Sequence, residues 1–568
     1  MFAQLPKDVS AVRDWTWAQI APYYDELEAR PVSAGNVIEW LTDWRHLIQL
    51  IEEHGERLRV GTTQDTTDQE TLARYNAYLE NILPPIMEAD QKLKEKLLAT
   101  GLQPEGFEIP LRDMRTEAAL FREENVPLLT QEEQYNVEYD QISGAQTVQW
   151  NGEEKTLAQL QPIMQSFDRA ERERAWRLIS ERQLADRPAL NDLWARAITL
   201  RVQIADNADL PDYRAYKWRD MLRFDYTPDD AQNFHKAIEE VVVPAALRIY
   251  EKRRRRLGVE KLRPWDLEVD TSGAEPLRPY DTIETLNEGA SSIFHRVDPQ
   301  LGEYFDTMRR ENLLDLDNRK GKGPGGYCTY YGITRRPFIF MNAVGIHDDL
   351  QTLLHEGGHA FHGFEYFNLP LYQQTEIPIE FCEVASMSME LLAAPYFTKA
   401  EGGLYATDAE AARARLQHLE GMILFWPYMA VVDAFQHWAY TYPDEAKSAA
   451  NCDAKWSELW DRFMVGIDYE GLEDVKATGW QRKLHIFQIP FYYIEYGLAQ
   501  LGAVQVWRNS LTDQAGAVAA YRRGLALGGT ATLPELFAAA GARFAMDADT
   551  LREAVELIES TIDTLDPA

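Results

Sequence analysis

The chain has 11 histidines, and four of them fall between His347 and His362. Within that window His355-Glu356-Gly357-Gly358-His359 sets two imidazoles four residues apart, with a carboxylate directly after the first. On an α-helix, residues four apart lie about 40° apart around the axis and one turn up. Such a pair can hold one metal ion at about 2.0–2.1 Å from each nitrogen. Glu356 sits about 100° round from His355, beside the ion rather than on it, which suits a base acting on water activated by a metal. Roughly 0.02 matches to this HExxH pattern are expected by chance in a chain so poor in histidine, so the spacing reads as chemistry rather than coincidence. His362 shares the same face but lies about 10.5 Å along the axis from His355. It is too far to share the ion and is expected to pack or to hydrogen-bond behind the ligands. The longer HExxHxxGxxH pattern needs a histidine at 365, where this chain has Glu365.

A catalytic zinc takes three protein ligands and leaves one position open. The segment 375–392 offers Glu376, Glu380, Glu383 and Glu390. Each of these would otherwise be an ordinary exposed helix charge. Glu383 is favoured, with Glu380 next; Glu383-Val384-Ala385-Ser386 resembles the Glu-x-x-Ser that carries the third ligand in thermolysin-like enzymes.

These residues need helices to hold them. Leu350, Leu353, Leu354, Gly357, Phe361 and Phe364 form an apolar stripe opposite the two histidines, at the helical period. Asp348 and Asp349 supply first-turn acids. Pro378 and the apolar spacing after it predict a second helix carrying Glu383. Helical patterns also fill residues 11–98, 157–205 and 409–440. Thr227-Pro228-Asp229-Asp230 is a helix start, Gly258 a matching stop, and Pro244 between them is expected to kink the helix. Gly528-Gly529 ends one helix near the C-terminus, and 530–534 opens the next. Two stretches read as strand, 134–150 and 327–341; a turn pair, Asn151-Gly152, follows the first.

Composition narrows the function classes. There are 58 Lys+Arg against 91 Asp+Glu, a net charge of −33, which argues against nucleic acid and anionic lipid as partners. The basic run Lys252 to Arg256 reads as a solvated last helical turn. Three cysteines, Cys328, Cys382 and Cys452, cannot make a disulfide framework and suit a reducing compartment. The N-terminus shows no signal peptide. The longest apolar stretch, Met422 to Val432 broken by Pro427, is too short for a bilayer span and reads as a buried helix. A cytoplasmic protein with no membrane partner is expected.

HEGGHAFH followed by IEFCEVASMSMELL resembles the zinc oligopeptidases of the thimet oligopeptidase and oligoendopeptidase F family. GPGGYCTYYGITRRPFIFMN, HIFQIPFYYIEYGLAQLGA, YRRGLALGGTATLPELFAAAG and NADLPDYRAYKWRDMLRFDYTP resemble further segments of that family, so the likeness spans roughly residues 190–560. Glu380, Ala385 and Met387 stand where the family usually has Asp, Pro and Gln.

The resemblance implies a mostly α fold: a large helical body enclosing a deep substrate cleft, with a small β-sheet near the metal site, as in thimet oligopeptidase and neurolysin. It implies one continuous body, comprising an N-terminal helical region with a short β-hairpin (1–190) and a catalytic region (191–568). It implies one Zn2+ per chain held by His355, His359 and Glu383, with Glu356 as general base. It implies an oxyanion donor from His485 and the tyrosines, ranked Tyr496, Tyr493, then Tyr492. Tyr492 also joins the substrate-binding set with Gly325, Gly326 and Tyr327. GKGPGG lacks the GxxxxGK[ST] order of a phosphate loop. It reads as a loop over the cleft whose backbone approaches a peptide, with the adjoining strand able to pair with an extended substrate.

The implied activity is hydrolysis of internal bonds in short oligopeptides by a zinc-activated water. The competing readings are a helical zinc carboxypeptidase or dipeptidyl carboxypeptidase, and a non-catalytic zinc-containing peptide-binding protein.

Overall fold

Residues 2–566 are described by a computed structural model, and most of them are helical. The first long helix, α1 (Val37–Gln64), buries Trp40, Trp44, Leu47 and Leu50. They belong to a cluster built from residues between Leu5 and Met114 together with Leu371.

The stretch 134–150, expected as strand, is mainly helix. α2 (Val126–Gly144) takes its first part, and only β1 (Thr147–Trp150) is extended, paired antiparallel with β2 (Glu153–Thr156). The deciding contact is tertiary. Tyr139 stacks on Phe487 at 4.7 Å and donates its hydroxyl to the Gln481 carbonyl at 3.1 Å, which outweighs the β propensity of the tyrosines and valine. Asn151 and Gly152 both have positive φ, 53° and 87°, and close the hairpin.

α3 (Pro228–Leu257) begins at Thr227, whose side chain and that of Asp230 cap each other's backbone N–H, and ends at Gly258 with φ 65°. It runs through Pro244 without a break. The basic run in its last turns is ion-paired: Lys252 and Arg256 with Asp566, Arg253 with Glu420, and Arg254 with Glu251.

A three-stranded sheet follows. β3 (Leu314–Asp317) lies parallel to β5 (Arg336–Ala343), and β4 (Tyr327–Tyr331) lies antiparallel to β5, in the order β3-β5-β4. The single strand expected over 327–341 is therefore a hairpin, turned at 332–335, where Arg335 has φ 52°. The strand alternation of β4 is visible in its partners. Tyr327 and Tyr331 lie under Arg59 and Arg57 of α1, at 4.7 and 3.9 Å, and Thr329 bonds Glu56. Tyr330 points the other way, towards the helix that carries His355 and His359. The outer edge of β4 pairs with no other strand among the described residues.

That helix, α4 (His347–Tyr366), starts where Asp349 accepts the backbone N–H groups of Val344, Gly345 and Ile346 and the Tyr280 hydroxyl. α5 (Ile379–Ala393) crosses it. α6 (Asp408–Thr441) contains Pro427 and buries Met422, Ile423, Trp426 and Met429 to Val432. α7 (Tyr493–Ser510) packs on α5. These elements share one large apolar cluster reaching from Val60 to Ile562. No helix among the described residues is long and apolar enough to cross a membrane.

Candidate metal centre and active site

The apolar stripe of α4 is buried as its periodicity predicts: Leu350, Leu353, Leu354 and Phe361 are all fully covered. This turns His355 and His359 to the opposite side of the helix, with side chains 20% and 13% exposed. α5 meets α4 at Gly358. A Cβ there would stand 2.5 Å from the Ala385 carbonyl oxygen and from Ser386 Cα, closer than real Cβ contacts come. Glycine at 358 is therefore what lets the two backbones approach, and that approach carries Glu383 to the histidines.

Glu383 Oε2 lies 3.2 Å from His355 Nε2 and 3.6 Å from His359 Nε2. One ligand atom from each of the three residues lies within 4.8 Å of the others. A tetrahedron with metal–ligand bonds of about 2.05 Å has edges of about 3.4 Å, so these separations fit one zinc-sized ion. Two imidazoles and a carboxylate are also a donor set that zinc accepts in sites with an open position.

The surrounding groups hold these donors in place. Glu390 Oε1 takes the other ring nitrogen of His355 at 2.7 Å, and His418 Nε2 lies 3.3 Å from Glu390 Oε2. Tyr492 donates to Glu383 Oε1 at 2.6 Å, and the Ser386 hydroxyl lies 3.0 Å from Oε2. Tyr330 donates to the backbone carbonyl of His359 at 3.0 Å. Burial opposes ionisation of Glu383, but His359 and the hydrogen bond to His355 outweigh it and bring its carboxyl down to about 2.

Glu356 is buried, and its Oε2 has no hydrogen-bond partner. Burial pushes its carboxyl up to about 7; His355 opposes this, and Glu383 and Glu390 add to it. His485 and Tyr496 approach from the segment after α6: His485 Nε2 lies 3.2 Å from the Tyr496 hydroxyl. Burial, with Lys483 adding, lowers the imidazole of His485 to about 3, keeping it neutral. Tyr493 packs its ring against His485 at 5.0 Å, against Phe425 and Tyr428, and beneath the Lys483 ammonium at 4.9 Å.

Of the four candidate carboxylates, only Glu383 joins the two histidines. Glu380, the runner-up, is buried elsewhere, accepting the Tyr226 hydroxyl at 2.6 Å beside Arg223. Glu376 is exposed and makes no contact with the cluster. His362 is fully buried against the rings of Tyr366 and Phe381, and neither of its nitrogens has a hydrogen-bond partner. It is a packing residue, not a hydrogen-bonding one. Gly325 (φ 84°) and Gly326 are exposed at the start of β4. The Tyr327 side chain is committed to Thr63 at 2.6 Å and to the Phe340 ring at 4.8 Å. Sequence reasoning weighed Glu390 only as a ligand and missed its hold on His355. The available signal was its position seven residues after Glu383, on the same face of α5.

Residues 163–556 match the profile of Peptidase family M3. The chain belongs to Peptidase family M3. Among M3 relatives it is similar to oligoendopeptidase F of Lactococcus lactis subsp. cremoris, 24% identical over 342 residues, which cover 57% of this chain and 52% of that one. It is also similar to the group B oligopeptidase PepB of Streptococcus agalactiae, 29% identical over 152 residues, which cover 26% and 24%. The chain spans about half the length, or less, of the curated relatives it matches. Solved structures match end to end. PZ peptidase A with an inhibitor superposes with TM-score 0.92 at 26% identity, covering 100% of both chains. A chain assigned as oligoendopeptidase F gives 0.91 at 28%, covering 100% and 99%. The mostly helical fold with small sheets is thus the M3 fold.

Proposed function

We propose that this M3 protein is a zinc-dependent oligoendopeptidase that hydrolyses internal bonds of short peptides. The observation that supports it most directly is the convergence of His355, His359 and Glu383 beside a buried Glu356 whose Oε2 has no hydrogen-bond partner. A purely structural zinc would be closed by four protein ligands, and it would have no use for that carboxylate. His355, His359 and Glu383 would hold the ion. When bound there, zinc supplies Lewis acidity, polarising a carbonyl and lowering the pKa of water towards about 7.

The chain's own residues divide the remaining work. Glu356 takes a proton from the attacking water and passes it to the leaving amine. The Tyr496 hydroxyl, held by His485, donates to the developing oxyanion. Glu390 fixes the ring of His355, and Tyr492 and Ser386 fix Glu383. The free edge of β4 next to α4 suits backbone pairing with an extended peptide, entered past Gly325 and Gly326. The three cysteines are free, which suits a reducing, cytoplasmic location.

The test is to incubate the zinc-loaded protein with a mixture of peptides of about ten residues and with casein, and to sequence the products. Internal cleavage of the peptides with casein left intact is expected. Release of single C-terminal residues or dipeptides would replace this reading with a carboxypeptidase. Casein cut as fast as the peptides would remove the size restriction.

A further inference from the structure

In a chain carrying −33, the two residues just before the His485 helix are both cations, and neither has a carboxylate partner among the described residues. Arg482 donates to the Val475 carbonyl at 3.1 Å, with Tyr469, Tyr428 and Tyr139 in its surroundings. Lys483 lies over the rings of Tyr428 and Tyr493, at 5.3 and 4.9 Å.

Arg482 is half-buried and lines a cavity of about 550 Å³. The cavity is walled by α2, by the loop from Asn318 to Gly325 and by the segment Thr478 to Leu484. Its other cations are already engaged: Arg319 and Lys322 bond Asp315, and Lys320 bonds Glu154. Its acids are Glu154 and Asp140. Asp140 accepts the Gln488 amide at 2.7 Å, and burial pushes its carboxyl up towards the neutral form. Arg482 is therefore the one cation on the wall without an acid among the described residues; the wall's amides are engaged, Gln146 with Asp186, Gln481 with Asn191, Asn318 with Asn342, and Asn342 with the Gly323 and Gly325 carbonyls.

The cavity wall includes Gly323 to Gly325, just before β4 begins at Tyr327, and Leu484, next to His485. A peptide laid along β4 past Tyr330, which marks the level of His359, runs into it after about five residues at 3.3 Å each. We propose that Arg482 is a specificity-determining residue that captures a peptide carboxylate in this cavity, about five residues from the scissile bond. This rests on the oligopeptidase reading above.

The test uses the zinc-loaded protein and three peptides of one sequence: a free C-terminal acid, its C-terminal amide, and an amide ending in glutamate. The wild type should show a KM for the free acid about tenfold below that for the amide, with similar kcat, the range of a hydrogen bond to a charged group. Arg482→Gln should raise the KM for the acid about tenfold, leave the amide unchanged and abolish the discrimination. Arg482→Lys should keep part of it and guards against a folding artefact. If the glutamate amide behaves as the acid, side-chain carboxylates are captured too; if it behaves as the plain amide, the capture is of the terminus. Equal KM for acid and amide in the wild type, or equal losses on both in Arg482→Gln, overturns the proposal. Equilibrium binding of the same peptides separates the two claims. Absence of any cleavage overturns the oligopeptidase reading, whereas equal affinity for acid and amide overturns the role of Arg482.

Discussion

Two histidine–carboxylate clusters among the described residues differ in a way that shows what makes one of them a candidate active site. In both, one helix supplies two of the groups four residues apart: His355 and His359 on α4, Asp433 and His437 on α6. In both, a second helix supplies the third group, Glu383 from α5 or His235 from α3. Around Glu383 three ligand atoms spread about a common point. In both, the two imidazoles approach one carboxylate oxygen, Glu383 Oε2 at 3.2 and 3.6 Å and Asp433 Oδ2 at 2.8 and 3.2 Å, but among the described residues only the Glu383 cluster has its three ligand atoms all within 4.8 Å of one another. The His355 and His359 side chains are 20% and 13% exposed, whereas those of Asp433 and His437 are 0% and 5% exposed and His437 packs against Trp218 and Phe491. Residue type and helical spacing are shared. What differs is the mutual spacing of the donors and their exposure, which suits one cluster to chemistry while the other ties α3 to α6.

The comparison is most exposed to Glu356→Gln. Turnover should fall about 10³-fold with zinc content unchanged by metal analysis; loss of the metal would instead make Glu356 a ligand.

Asp433→Asn should leave kcat intact and cost about 3 kcal/mol of stability in denaturant melts at pH 7, because it unpairs a buried cluster. Burial opposes ionisation of Asp433, but His437 and His235 outweigh it and hold the carboxyl well below the usual range. A depressed acid stabilises the fold above its unfolded pKa of about 3.9 and loses that contribution as pH falls through the folded value. The gap between wild type and Asp433→Asn should therefore narrow below about pH 4, and a gap that widened there would refute the assignment.

Tyr496→Phe should lower kcat about 10²-fold with KM nearly unmoved. Tyr493→Phe should stay near wild type, since its ring packs and its hydroxyl lies on the Lys483 side. The reverse order would move the oxyanion donor to Tyr493.

The smallest effect is expected for Glu390→Gln, about tenfold weaker zinc binding in chelator competition. His235→Gln should not change zinc binding at all, and a matching loss there would erase the distinction between the clusters.

Legibility in the sequence followed the range of the interactions. The caps at Thr227 and Gly258, the helix start within 530–534 and the buried stripe of α4 were readable because capping and helical periodicity are local. The strand expected over 134–144 became the end of α2 because Tyr139 meets Phe487, 348 residues away along the chain. No propensity carries that contact.

The sequence by itself determined that His355, Glu356 and His359 share one turn-and-a-bit of helix, since 3.6-residue geometry acts within a few residues. It also carried the likeness that singled out Glu383. Only the tertiary structure decided how the remaining carboxylates and tyrosines divide: Glu383 to the metal position, Glu390 to His355, Glu380 to Tyr226 and Arg223, Tyr492 to Glu383 and Tyr496 to His485. Those pairings depend on how α4, α5 and α7 cross. The crossing is set by the backbone contact at Gly358 and by the shared core, which bring together residues that no local rule relates.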